Sequence, residues 1–243
     1  MTSDQTHLPR RFVLAGGSAL ALAGCGRQDA APGSSPKTAV AQGESAAALP
    51  SPAGGTRIIT MLGDSITAGY GLAAADALPA QLEIALQSLG LSVRVRSAGV
   101  SGDTTAGGLA RVDFSVQDDT DLCIVALGGN DMLQGVDPSA TRRNLDQIIK
   151  RLQARHIPVL LAGMRAPPQY GAYARDFDKV FVDLARDDDV AAYPFLLNGV
   201  ALDRRYNQAD GIHPNAAGVR IIATALAPVV ADTLARTGEP ARS

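Results

Sequence analysis

The chain has 243 residues, with 22 Lys plus Arg, 24 Asp plus Glu, 3 His, 2 Cys and no Trp, and its net charge is −2. This near-neutral balance argues against a broad electrostatic footprint for nucleic acid or for an anionic membrane surface. A hydrophobic share of 46% excludes wholesale disorder, and two Cys supply neither a disulfide framework nor a thiolate zinc site.

Arg10 and Arg11 precede 13 uncharged, mostly apolar residues, 12–24. That stretch is too short to cross a bilayer as a mature helix. A basic start, a short apolar core and small residues at its end describe an export signal. The end reads Leu22-Ala23-Gly24-Cys25, which looks like a lipobox, so Cys25 is expected to be acylated and to become the new N-terminus. Arg10-Arg11 also resembles a twin-arginine signal, loosely. Acyl chains would hold the protein to a membrane that its own charge does not attract. In 26–55, Ala, Gly, Pro and Ser fill 21 of 30 positions. Such a segment buries too little surface to offset its ordering entropy, and it reads as a flexible tether.

The remaining residues, 56–243, are expected to form one domain with one core. Apolar runs at 58–62, 122–127 and 159–162 each stop at glycine, and continuous runs of this length suit parallel strands covered on both faces. Val93-Arg94-Val95-Arg96 alternates, which suits an edge strand, and 190–194 gives a fifth. Helical spacing joins Leu82, Ala85, Leu86 and Leu89, and again Leu145, Ile148, Ile149 and Leu152. Asp137-Pro138 is a start signal for the second of these helices. Residues 176–186 form another. Pro214 is expected to open the last one, with Val219, Ile222, Ala223 and Leu226 buried and Pro228 kinking or shortening it. Strands alternating with helices make an α/β, three-layer, mostly parallel sheet, whose ligands bind outside the carboxyl ends of the strands.

Polar residues collect at those ends. Gly63-Asp64-Ser65 follows the first strand, where Ser65 is either an exposed serine on a tight turn or part of a helix cap. Ser97-Ala98-Gly99-Val100-Ser101-Gly102-Asp103 follows the edge strand. Its glycines suit either an anion-facing backbone or an ordinary turn, and no Lys stands at P-loop spacing. Gly128-Gly129-Asn130-Asp131 follows the third strand, where Asn130 can donate to an oxyanion or end a turn. In Asp210-Gly211-Ile212-His213-Pro214 the carboxylate can reach the imidazole and fix its tautomer, leaving Nε2 as a general base. His7 falls in the export signal and His156 at a helix end, so His213 is the base of any His-dependent hydrolase. Asp64, Asp210 and His213 together would be a thin ligand set for a metal.

In this order the segments resemble the four blocks of the SGNH, or GDSL, hydrolases. Within that family they are most similar to the bacterial periplasmic multifunctional thioesterase/protease/lysophospholipase (arylesterase) group. Gly107-Gly108-Leu109-Ala110-Arg111 and Arg165-Ala166-Pro167-Pro168-Gln169-Tyr170-Gly171 extend the resemblance, which covers essentially all of 57–236. It implies a five-stranded flavodoxin-like parallel sheet of order 2-1-3-4-5. It implies Ser65 as nucleophile, His213 as base and Asp210 as the orienting carboxylate. Ser65 and Gly102 backbone N–H groups and the Asn130 side chain would form the oxyanion hole. The implied activity is hydrolysis of carboxylic esters and thioesters through an acyl-enzyme, by a monomer with no metal or organic cofactor and no nucleic-acid partner. A carbohydrate O-deacetylase or acyltransferase on the same scaffold is the alternative, and a non-catalytic tethered lipoprotein a further one. Tyr170, Tyr173, Tyr206, Met132 and Leu133 are expected around the acyl pocket.

Overall fold

The computed structural model describes residues 55–237. The export signal over 1–25 with Cys25, and all but the last residue of the tether over 26–55, lie outside the described residues. One sheet of five strands carries the fold: β1 (Arg57–Gly63), β2 (Val93–Gly99), β3 (Leu122–Ala126), β4 (Val159–Ala162) and β5 (Ala191–Tyr193). All pairings are parallel, in the order β2-β1-β3-β4-β5. The expected α/β architecture and strand order are therefore present. Every residue of β3 and β4 is buried, as continuous apolar runs require. The alternating β2 lies at an edge, and Glu83 accepts the Val95 N–H at 2.7 Å, so part of that edge is covered by a side chain.

The seven α-helices among the described residues are α1 (Ser65–Ala68), α2 (Leu78–Ser88), α3 (Thr105–Ser115), α4 (Gly129–Gln134), α5 (Pro138–Ala154), α6 (Ala172–Asp187) and α7 (Ala216–Thr237). From β1 the chain runs leftward to β2, then crosses back to β3 and on to β4 and β5. Right-handed crossovers therefore set α2 on one face of the sheet and α3, α5 and α6 on the other. Helix α7 joins α2, and α3, α5 and α6 pack in succession. Asp137 caps α5 by accepting the Ser139 N–H at 2.7 Å, and Pro138 stands as its first residue, as the sequence signal predicts.

Three local expectations are corrected, and one helix is not expected from the sequence. Leu89 is not in the buried stripe of α2: it caps the helix end and is 54% exposed. Pro214 does not open the last helix. It pairs with Asn207 in an antiparallel bridge, and Asn215 caps α7 instead, accepting the Ala217 and Gly218 N–H groups at 3.0 Å each. Pro228 does not shorten α7, which runs on to Thr237 with Val219, Ile222, Ala223 and Leu226 buried as expected. Helix α3 carries no apolar periodicity that announces it, because two glycines replace the residues that would show it. A Cβ on Gly108 would sit 2.2 Å from a Leu127 methyl, and one on Gly107 2.6 Å from the Asp103 carboxylate. Those glycines let the helix lie close against the sheet and the preceding loop.

Candidate active site

Strand order reverses between β1 and β3, and a cleft opens at the carboxyl ends on either side of such a point. β1 delivers Gly63-Asp64-Ser65 there. Gly63 has no room for a side chain, since a Cβ would meet the Thr67 hydroxyl at 2.0 Å. Asp64 then caps α1, accepting the Ile66 N–H at 3.0 Å, and Ser65 is the first helical residue. The Ser65 N–H, in the first turn of α1, has no intrahelical acceptor.

On the other side, Asp210 accepts the Ile212 and His213 N–H groups at 2.9 and 3.0 Å with one carboxylate oxygen. Its other oxygen lies 2.6 Å from His213 Nδ1, and His213 Nε2 lies 2.9 Å from Ser65 Oγ. With Nδ1 protonated towards the carboxylate, Nε2 presents its lone pair to the serine hydroxyl. Gly211 turns the chain between them at φ 72°, a conformation open to glycine and strained for other residues. The bond to His213, helped by the two backbone N–H groups, holds the Asp210 carboxyl down at about 2. The Tyr70 ring lies over the imidazole, centroids 4.6 Å apart.

Asn130 sits in the first turn of α4 and also faces the cleft. One N–H of its amide donates to the Asp103 carbonyl at 2.9 Å, which leaves the second free. Beside it, Asp131 is fully buried and accepts the Thr105 N–H at 2.7 Å and the Thr141 hydroxyl at 3.2 Å, tying α4 to α3 and α5. Gly102 stands in the loop after β2 at φ 87°, and its N–H makes no backbone hydrogen bond. Ser65, Asn130 and His213 line one cavity, Asp210 backs the imidazole, and Gly102 lies one residue from the carbonyl that holds Asn130 but outside the cavity lining.

The cavity holds about 470 Å³, and Ile66, Met132, Leu133, Met164, Phe195 and Leu197 give it a largely apolar wall. Met132, Leu133 and Tyr170 are where the sequence expects them. Tyr173 and Tyr206 are not on this wall. Tyr173 stacks on Phe177, 5.9 Å between centroids, and donates to the Val136 carbonyl at 3.0 Å. The Tyr206 carbonyl accepts the Asn215 N–H at 2.8 Å and lies against Gly218, at the foot of α7. Cys123 is buried in β3, and burial pushes its thiol up to about 12, so it has no reactive thiolate at neutral pH. His156 sits at φ 56° just beyond α5.

Sequence reasoning did not single out Asp64 itself as a strained group. It is 2% exposed and lines the cavity, and burial raises its carboxyl from 3.8 to about 6 against the opposing pull of the Ile66 N–H and His213. A carboxyl whose pKa is raised on folding contributes its full stability below 3.8 and loses it as pH rises through about 6. Asp64→Asn keeps an acceptor for Ile66 and removes the buried charge. The variant is expected to match the parent near pH 3.5 and to exceed it by up to about 3 kcal/mol at pH 8. Urea unfolding at both pH values checks this, and equal stabilities at pH 8 would contradict it.

The sequence pattern of the GDSL-like lipase/acylhydrolase family matches residues 61–221, about two thirds of the chain. The chain belongs to that family. Among curated proteins it is 39% identical to esterase TesA of Pseudomonas aeruginosa over 158 residues, 64% of this chain and 79% of that protein. It is 36% identical to thioesterase 1/protease 1/lysophospholipase L1 of Escherichia coli K12 over 184 residues, 75% and 83% of the two chains. Among solved structures, AlinE4, an SGNH-hydrolase family esterase, is 48% identical with a TM-score of 0.62, covering 74% of this chain and 98% of its own. This GDSL-type protein is accordingly an enzyme, a serine hydrolase of carboxylic esters and thioesters.

Proposed function

We propose that Ser65, His213 and Asp210 are the catalytic residues of a broad acyl-ester and thioester hydrolase. The observation that carries this reading is the unbroken chain of hydrogen bonds from Ser65 Oγ to His213 to Asp210, at 2.9 and 2.6 Å. Ser65 Oγ attacks the acyl carbon while its proton passes to His213 Nε2. The carbonyl oxygen becomes an oxyanion, which the Ser65 and Gly102 N–H groups and the free Asn130 amide N–H accommodate. The imidazolium, steadied by Asp210, protonates the leaving alcohol or thiol. Water then repeats the sequence on the acyl-enzyme and releases the acid.

The apolar wall supports an acyl chain in the cavity, because burying each methylene there contributes about 0.8 kcal/mol. A sugar ring would find few polar partners on Ile66, Met132, Leu133 and Met164. Relatives named arylesterase, esterase and thioesterase fit the same reading. A nitrophenyl alkylphosphonate tests it. Ser65 is expected to displace nitrophenolate once per chain, with peptide mass spectrometry placing the phosphonyl group on Ser65. Label on another residue, or no label, would overturn it.

The protein is further proposed to be an exported, monomeric lipoprotein: residues 1–25 direct export, Cys25 carries the lipid, 26–55 is the tether and 56–243 the hydrolase domain. The lipobox and the Ala/Gly/Pro/Ser composition support this. Cys25→Ser is expected to move the protein from the membrane to the soluble fraction after cell breakage. Continued sedimentation with membranes would contradict the anchor.

A further inference from the structure

Arg111 lies on α3, away from the cavity lining, with its side chain 18% exposed. Its guanidinium makes four hydrogen bonds. Nε donates to the Asp103 carboxylate at 2.6 Å. Nη1 donates to the Ala98 carbonyl at 2.9 Å and the Ser115 hydroxyl at 3.1 Å. Nη2 donates to the Gly63 carbonyl at 2.8 Å. Only the planar fork of arginine offers this many donors in fixed directions.

Three of those four partners stand beside groups that face the developing oxyanion. Gly63 is two residues before Ser65, whose N–H is one donor. Ala98 is the penultimate residue of β2, which feeds the loop carrying Gly102, the second donor. Asp103 follows Gly102, and its own carbonyl accepts from Asn130, the third donor, at 2.9 Å. The Val100 N–H also donates to the Gly63 carbonyl, at 3.1 Å, so the two strand ends are joined twice. Gly107 adds to the constraint, because its bare Cα leaves the Asp103 carboxylate room to reach Arg111.

We propose that Arg111 is a positioning residue for the oxyanion hole, setting Ser65, Gly102 and Asn130 in register through Gly63, Ala98 and Asp103. This rests on the reading of Gly102 and Asn130 as oxyanion donors. Preorganised donors act only when the carbonyl oxygen gains charge, so displacing them costs kcat and leaves substrate affinity alone. An arginine that merely seals α3 onto the sheet would lower thermal stability without that division.

The test is a mutant cycle in the full-length protein, with thermal unfolding run in parallel. Arg111→Met keeps the aliphatic stem and removes the donors. It is expected to lower kcat about 30-fold with KM within about twofold, and Arg111→Lys to recover part of the loss. Asn130→Ala is expected to lower kcat by about 10²- to 10³-fold. The double variant is expected to fall clearly short of the product of the two losses, because Arg111 acts partly through Asn130. Losses that multiply, an unchanged kcat in Arg111→Met, or a change confined to KM would overturn the proposal. If Arg111→Met does not fold, Asp103→Asn, which keeps the volume and removes the charge partner, takes its place in the cycle under the same criteria. An Asn130→Ala enzyme with full kcat would instead overturn the oxyanion assignment, a result separable from the Arg111 outcomes.

Discussion

Ser65→Ala is expected to lower kcat on short-chain nitrophenyl esters by about 10⁴- to 10⁶-fold with little change in KM. The expectation follows from the direction of the chemistry. The serine oxygen forms the new bond to the acyl carbon, and nothing else in the cavity lies 2.9 Å from His213 Nε2 to take its place. The residual rate comes from the oxyanion donors and from substrate binding, which the substitution leaves intact. The fold should tolerate the change, because Ser65 Oγ bonds only to His213 among the described residues. Steady-state hydrolysis together with the pre-steady-state burst decides the matter: the burst of nitrophenolate should vanish. A variant that kept even a tenth of parental kcat would remove Ser65 from the mechanism.

Asp210→Asn is expected to lower kcat by about 10⁴-fold at neutral pH, the second largest effect. Asparagine still offers an oxygen to the Ile212 and His213 N–H groups, so the turn should hold. It also places an NH₂ group against Nδ1. That favours the tautomer with the proton on Nε2, which points a donor at Ser65 and removes the base. Because the His213 bond holds the Asp210 carboxyl at about 2, the residue stays ionised through the working range. The stabilisation it gives is present above 3.8 and is lost only as pH falls towards about 2. Protonation of Asp210 therefore leaves no inflection in the activity profile above pH 4. A pH–rate profile from 4 to 9 on both proteins checks this. Retention of parental kcat in Asp210→Asn would contradict the role assigned to the carboxylate.

The parts of this enzyme that the sequence displays are those written in short-range code. β3 and β4 are visible because parallel strands covered on both faces leave unbroken apolar runs, and β2 because an edge strand alternates. Asp210 and His213 are visible because a turn of three residues is enough to join them. What stays hidden depends on the third dimension. Helix α3 is concealed by Gly107 and Gly108, which weaken helical pattern locally while answering a distant demand from Asp103 and Leu127. Pro214 carries a helix-start signature, yet its bridge to Asn207 outweighs it and hands the cap to Asn215. Tyr173 and Tyr206 are amphipathic enough for a pocket wall or for the core, and only packing decides between these. Neither the burial of Asp64 nor the bonds of Arg111 to Asp103, Ala98 and Gly63 follow from spacing, since what surrounds these side chains comes from other strands and loops.

Ser65 and His213 are 148 positions apart. The proposed nucleophile arrives with the first strand of the domain and the proposed base just ahead of the last helix. A chain still emerging from the ribosome thus has the serine without this imidazole. Long-range closure of this kind slows folding, because distant contacts form late. The Ser65–His213 bond therefore forms only after nearly the whole domain has been synthesised and folded.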